Sequence, residues 1–158
     1  MAMRCRSSRV GIGVPGGGIP KPDAGRLKTA PELVGAPWID GARLARYLQA
    51  RGIPGVRFAA ANFAPTADRY AREPCHGVEI SLIDRSALNT PLLGVELAAA
   101  LHRLYQERFQ VERTLGLFGS EATLEAIEEG TDPRLVSAGW RADLEAFKAL
   151  RAKYLIYQ

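Results

Sequence analysis

Residues Gly77 to Ile83 alternate strictly: Val78, Ile80 and Leu82 fall on one side of an extended chain, Glu79 and Ser81 on the other. Such a strand cannot stand alone. Its backbone needs neighbouring strands and its apolar face needs a packed layer. Val56-Arg57-Phe58-Ala59-Ala60 reads as one neighbour, with Val56, Phe58 and Ala60 on one face and Pro65 ending the run. The other periodic segments are helical. Asp40 suits the N-cap of a helix that turns Leu44, Tyr47 and Leu48 inward and stops at Gly52 and Pro54. Asp84-Arg85-Ser86 reads as a turn. Thr90 and Pro91 read as the cap and first position of a long helix running to about Phe109, with Leu93, Leu97, Leu101, Leu104 and Tyr105 inward. Leu115 to Phe118 reads as an apolar link. Ser120 caps a helix carrying Leu124 and Ile127 to Gly130, and Asp132-Pro133 opens a short turn of helix through Val136. A last helix, from about Ala138 to Lys153, lines up Trp140, Leu144, Phe147 and Leu150 as a core stripe. Tyr154 to Tyr157 is a candidate terminal strand. The pattern predicts an α+β fold: a small, mostly antiparallel sheet covered by several helices. With so few strands, an open sheet face or edge is expected.

Composition narrows the functional classes. A chain of 158 residues, 47% apolar and 24% charged, suits one globular core. Its formal charge of +4 comes from the start. Six Lys/Arg precede Pro31 against the single acid Asp23, leaving fifteen basic and sixteen acidic residues from Pro31 onward. The body is near neutral, so no nucleic-acid partner is expected. No apolar run is long enough to span a bilayer, and the start lacks the apolar core of a signal peptide. A cytoplasmic protein with no membrane partner is the expectation. Cys5 and Cys75 are too few for a disulfide framework or a zinc site, and no metal is expected at Cys75-His76. Gly11, Gly13 and Gly16 spell G-x-G-x-x-G, but no strand precedes them and Gly17-Gly18-Ile19-Pro20-Lys21-Pro22 cannot begin a helix. No nucleotide or other cofactor is expected. Residues 1–27 read as a disordered Gly/Pro-rich tail, and residues 28–158 as one domain.

Several short phrases follow one another in a telling order. They are Glu32-Leu33-Val34-Gly35-Ala36-Pro37-Trp38-Ile39-Asp40, Phe63-Ala64-Pro65-Thr66, Cys75-His76-Gly77-Val78, Ile83-Asp84-Arg85, Gly119-Ser120 with Gly130, and the closing Trp140…Leu144…Phe147…Leu150 with Tyr154-Leu155-Ile156-Tyr157. Together, over about residues 25 to 157, they resemble the C-terminal part of the NamZ-type exo-β-N-acetylmuramidases, a family of peptidoglycan glycoside hydrolases. The resemblance implies removal of N-acetylmuramic acid from the non-reducing ends of peptidoglycan-derived MurNAc-GlcNAc. It also implies a Rossmann-like domain before this region, carrying the catalytic carboxylates, and no such domain is read in this chain. The family's lead-in, Ser-Glu-Gly-Arg-Gly-Thr-Thr-x-Pro-Phe-Glu, is matched approximately by Gly25, Arg26, Thr29, Pro31 and Glu32. The acidic residue before the glycine and the second glycine are absent.

Glycoside cleavage normally uses two carboxyl groups flanking the bond. None of the acids here offers an obvious pair. Glu121, Glu125, Glu128 and Glu129 share one helix and should face water, while Asp143 falls beside the apolar stripe. No catalytic residue is assigned. Four residues are candidates for substrate binding. Arg26, by resemblance, would meet the lactyl carboxylate of muramic acid. Glu32 and His76 are placed to border a cleft, His76 as base or sugar ligand. Trp38 is either a stacking platform for a pyranose or a core anchor before the helix cap. Two functions remain open: the C-terminal part of an exo-β-N-acetylmuramidase-like hydrolase, inactive alone, or a stand-alone sugar-binding or docking module that pairs with a separate catalytic half. Either way an apolar surface is expected around Pro31 to Trp38, Phe63 to Thr66 and Cys75 to Gly77. Self-association or binding of the catalytic domain would follow.

Overall fold

The computed structural model describes residues 32–66 and 70–155. The proposed tail, Arg26 and the second half of the expected terminal strand lie outside them. Three strands form one sheet: β1 (Glu32–Ala36), β2 (Val56–Phe63) and β3 (Cys75–Leu82), in the order β1-β3-β2. Both outer strands run antiparallel to β3, so β1 and β2 are parallel to each other with β3 between them. The helix α1 (Gly41–Ala50) joins those two parallel strands. The α+β expectation is met.

The register explains the layering. Val34, Val78 and Phe58 fall on one face, because Val34 pairs with Val78 and Phe58 with Ile80. These residues are buried together with Leu44 and Leu48 of α1. The next layer is α2 (Thr90–Tyr105), which packs on α1 and in turn carries α4 (Glu121–Glu128) and α5 (Pro133–Gly139). Between them the chain makes a 3-10 turn (Val111–Thr114) and a short helix α3 (Leu115–Phe118), so the expected apolar link is helical. Helix α6 (Arg141–Ala152) is outermost and touches the rest through α5. The opposite sheet face, with Arg57, Ala59, Ala61, Glu79 and Ser81, carries no helix among the described residues.

Local differences from the sequence reading have physical causes. The N-cap of α2 is Asn89, whose Oδ1 accepts the Leu92 N–H at 3.1 Å, so Thr90 and Pro91 fall one position further in. The helix ends at Tyr105 rather than near Phe109, and Phe109 turns back into the core. Because α2 is packed from several sides, Val95, Ala98, Ala100 and Leu101 are buried, whereas Leu93, Leu97 and Leu104 are half-buried. The short helix expected through Val136 runs on to Gly139, and the last helix begins at Arg141, after Trp140, rather than at about Ala138. Trp140 meets the core, but Leu144, Phe147 and Leu150 are 49–59% exposed, so the expected core stripe faces outward. Tyr154 and Leu155 are exposed and belong to no strand. The segments expected to expose apolar surface do so less: Cys75 and Gly77 are buried and Trp38 is half-buried.

Candidate functional site

The end of the sheet where β1 and β2 finish and β3 begins gathers most of the polar and aromatic groups of interest. Pro37 ends the β1 ladder because it has no N–H to donate. A turn follows, in which the Ile39 N–H bonds the Ala36 carbonyl at 3.3 Å. That turn sets Trp38 beside two tyrosines. Its indole N–H donates to the Tyr70 hydroxyl at 3.3 Å. Its ring meets Tyr105 edge-on, with centroids 5.7 Å apart and planes at 64°. Tyr105 is anchored in turn: its hydroxyl donates to the Asp40 carbonyl at 2.9 Å and accepts the Asp40 N–H at 3.1 Å. Burial pushes the Tyr105 phenol pKa upward, so it stays a neutral donor across the physiological range. Asp40 itself caps α1 through Arg43 N–H at 3.0 Å.

His76 lies across the ladder from Ala36 on one side and Asn62 on the other. It is exposed, and its Nδ1 is 2.8 Å from Asn62 Oδ1. With the proton on Nδ1 donated to Asn62, Nε2 becomes the acceptor of the ring. Cys75, the adjacent residue, points to the other face and is 1% exposed. Strand alternation thus separates the two side chains of Cys75-His76.

The described ends of the connection between β2 and β3, residues 64–66 and 70–74, meet at this corner. The Arg72 N–H bonds the Pro65 carbonyl at 2.7 Å, and the Glu73 N–H bonds the Tyr70 carbonyl at 3.0 Å. Arg72 has φ 65°, a left-handed conformation that a β-carbon disfavours. Its strain accompanies the turn that brings Tyr70 to Trp38.

Of the four residues singled out in the sequence, Trp38 and His76 share this corner. Glu32 is exposed at the other end of β1, opposite Ile80. Four residue steps along the strand separate it from Ala36, roughly 13 Å. Arg26 lies outside the described residues. Asn62, Tyr70 and Tyr105 were not singled out as site residues from sequence. Tyr105 was read only as an inward residue of the long helix, and Asn62 is a polar residue at a β2 position whose register faces the core side.

A second polar cluster ties the helical layers together. Arg51, just after α1, donates to both oxygens of Glu96 at 2.8 Å and to both oxygens of Asp132 at 2.9 and 3.0 Å. The Glu96 side chain is 1% exposed. Asp132 also caps α5 by accepting the Arg134 N–H at 2.8 Å, and Arg134 donates to the Arg51 carbonyl. These contacts hold the Arg51 guanidinium pKa above its usual value, and the Arg51 hydrogen bonds hold the Asp132 carboxyl below its own. With every charge engaged by another, this is a tie between α1, α2 and α5 rather than a reaction site.

The family model for the C-terminal region of the exo-β-N-acetylmuramidase NamZ matches residues 23–157. The chain belongs to this family. It is 35% identical over 137 residues to the peptidoglycan β-N-acetylmuramidase NamZ of Bacillus subtilis (strain 168), across 84% of this chain and 33% of that protein. Its fold is similar to the crystal structure of a DUF1343 family protein from Bacteroides fragilis NCTC 9343, with a TM-score of 0.68. The two are 22% identical, over 80% of this chain and 35% of the other. The chain therefore spans about a third of the length of the relatives it matches. No described helix is long and apolar enough to cross a membrane.

Proposed function

We propose that this NamZ_C domain forms one wall of the sugar cleft of an exo-β-N-acetylmuramidase-like hydrolase acting on peptidoglycan-derived MurNAc-GlcNAc, and has no hydrolytic activity alone. The observation that carries this reading is the family match across the whole described body, within a chain only about a third as long as its relatives. The corner at Trp38 and His76 supplies binding chemistry: an aromatic ring for a pyranose face, a tyrosine hydroxyl, and an imidazole oriented by Asn62. The carboxylate that accompanies Trp38 in sequence, Asp40, is already engaged as a helix cap. A second carboxylate for acid–base work would come from elsewhere.

The test uses a chromogenic β-N-acetylmuraminide. The full chain alone should show no turnover above the uncatalysed rate. The same chain fused behind the unmatched two thirds of the B. subtilis relative should hydrolyse the substrate. In that fusion Trp38→Ala and His76→Ala should each lower kcat/KM about tenfold, the scale of one lost contact of roughly 1.4 kcal/mol. Turnover by the lone chain that persists through repurification overturns the reading. So does a fusion whose activity ignores both substitutions.

A further inference from the structure

His76 and Asn62 face each other across the β2–β3 ladder. The Phe58 N–H donates to Gln49 Oε1 at 3.2 Å, so it points away from β3. The Phe58–Ile80 pair is thus one of the narrow pairs, which exchange no backbone bonds. The pattern repeats every two residues, so Ala60–Val78 and Asn62–His76 are narrow pairs as well. In such pairs the side chains approach most closely. The neighbour of His76 in β1 is Ala36, which offers only a methyl group. Asn62 is therefore the cross-strand partner able to orient the imidazole, through the 2.8 Å contact between its Oδ1 and His76 Nδ1.

The chemistry of the pair narrows what His76 can do. An amide oxygen accepts and cannot donate, so the neutral ring carries its proton on Nδ1 and keeps the Nε2 lone pair on the side away from Asn62. Asn62 has no charge. It aligns the ring without the stabilisation that an orienting carboxylate gives to an imidazolium. Cys75 is buried on the other face of β3, so it is not placed as a nucleophile for this ring. An exposed neutral lone pair attracts a hydrogen-bond donor and repels an ionised carboxylate, which has only lone pairs to offer. The Asn62 amide also carries donor hydrogens on Nδ2. The pair therefore presents an acceptor and a donor side by side, matching a group that both gives and receives a hydrogen bond.

We propose that Asn62 is a positioning residue that holds His76 protonated on Nδ1, so that Nε2 accepts a hydrogen bond from a neutral donor of the sugar, a hydroxyl or an acetamido N–H. His76 then acts neither as a base nor as the partner of a lactyl carboxylate. The inference rests on the sugar-wall reading above and adds which kind of group His76 recognises and which residue makes it selective.

Nitrogen-15 NMR of the imidazole rings, recorded on the full chain alone with the rings neutral, reads the tautomer directly. The spectrum of His76→Gln separates the His76 signals from those of the chain's other histidine, His102. His76 should be mainly in the Nδ1–H form. Asn62→Leu, similar in size but without an acceptor, should shift the tautomer ratio toward Nε2–H by about fivefold or more, while Asn62→Asp, which keeps an acceptor oxygen, should leave Nδ1–H dominant. A parent chain with Nε2–H dominant overturns the proposal, and so does an Asn62→Leu ratio equal to the parent's. The parent spectrum decides by itself if Asn62→Leu does not fold. Kinetics of the fusion with the chromogenic β-N-acetylmuraminide test the recognised group. His76→Gln, which can still offer an acceptor, should keep about fivefold more kcat/KM than His76→Lys, which can only donate, and the losses should fall on KM. A Lys variant as good as or better than Gln would mean that a carboxylate is met, and a loss confined to kcat would mean a base; either overturns the proposal. The 2-O-acetyl analogue of the substrate lacks the acetamido N–H. A Gln–Lys difference that persists with it assigns a hydroxyl, and one that vanishes assigns the N–H. A fusion indifferent to every His76 substitution sinks the sugar-wall reading, whereas His76-dependent turnover with the Nε2–H tautomer sinks the role of Asn62 alone.

Discussion

A β-carbon added at Gly77 would lie 2.0 Å from the Val34 carbonyl oxygen and 2.6 Å from Gly35 Cα. At Gly41 it would lie 2.4 Å from the Gly77 carbonyl oxygen. These are backbone atoms in a paired sheet, which cannot swing aside as a long side chain can. The three glycines let β1, β3 and the first turn of α1 close up where His76 and Trp38 emerge. Gly77→Ala should therefore cost about 1–3 kcal/mol or more, the scale of overpacking a filled interior. Urea unfolding checks this, and an unchanged midpoint would show that the strands give way freely. In the sequence, Gly77 stood out only through its neighbours Cys75 and His76. Its role depends on Val34 and Gly41, more than thirty residues upstream, and no periodicity links positions so far apart. Tyr70 and Tyr105 were invisible as partners of Trp38 for the same reason.

At the scale of elements, the helices owe their ends to local chemistry and their faces to neighbours. Asp40, Ser120 and Asp132 cap their helices as sequence suggested, because a cap needs only the N–H groups two or three residues on. Glu121, Glu125, Glu128 and Glu129 are exposed, as expected of a polar helix face. Glu96 is different. It sits among apolar residues of α2 and was not singled out, since its partners Arg51 and Asp132 lie in other elements. Arg51→Met should strand Glu96 as a buried charge without its counter-ion and cost about 3–5 kcal/mol in denaturant unfolding. A loss below about 1 kcal/mol would mean water already screens the pair. Asp132 makes a pH prediction. Hydrogen bonds from Arg51, then from the Arg134 N–H, hold its carboxyl below the ordinary value, so the folded state binds that proton less readily than the unfolded chain. Its contribution is full above about pH 4 and drains away as pH falls through the lower folded value. Unfolding midpoints between about pH 5 and about pH 2.5 should fall less steeply for Asp132→Asn than for the parent; parallel curves would remove Asp132 from the account.

Across the whole molecule, burial falls off from the sheet through α1 and α2 to α6. Native-state hydrogen exchange should follow that order, with β3 and α1 opening only near the global free energy and α6 opening well below it. Uniform protection in the lone chain would mean that α6 is held by contacts beyond α5. The same gradient divides what could be read from the chain alone. Sequence by itself determined the α+β class, two of the strands, most of the helix starts and the family, because alternation, capping and the order of short phrases are properties of neighbouring residues. It did not reveal β1 as a strand, since Glu32 to Ala36 becomes one through pairing with β3. It turned the α6 stripe inward, because helical spacing shows that a face is apolar and not what covers it. Only the tertiary structure decided that Trp38 and His76 share a corner while Glu32 stands at the far end of its strand. It also decided that Arg51 spans three helices and that Leu144, Phe147 and Leu150 face water. Each of these depends on which distant segment lies opposite, and that is settled by packing of the whole chain.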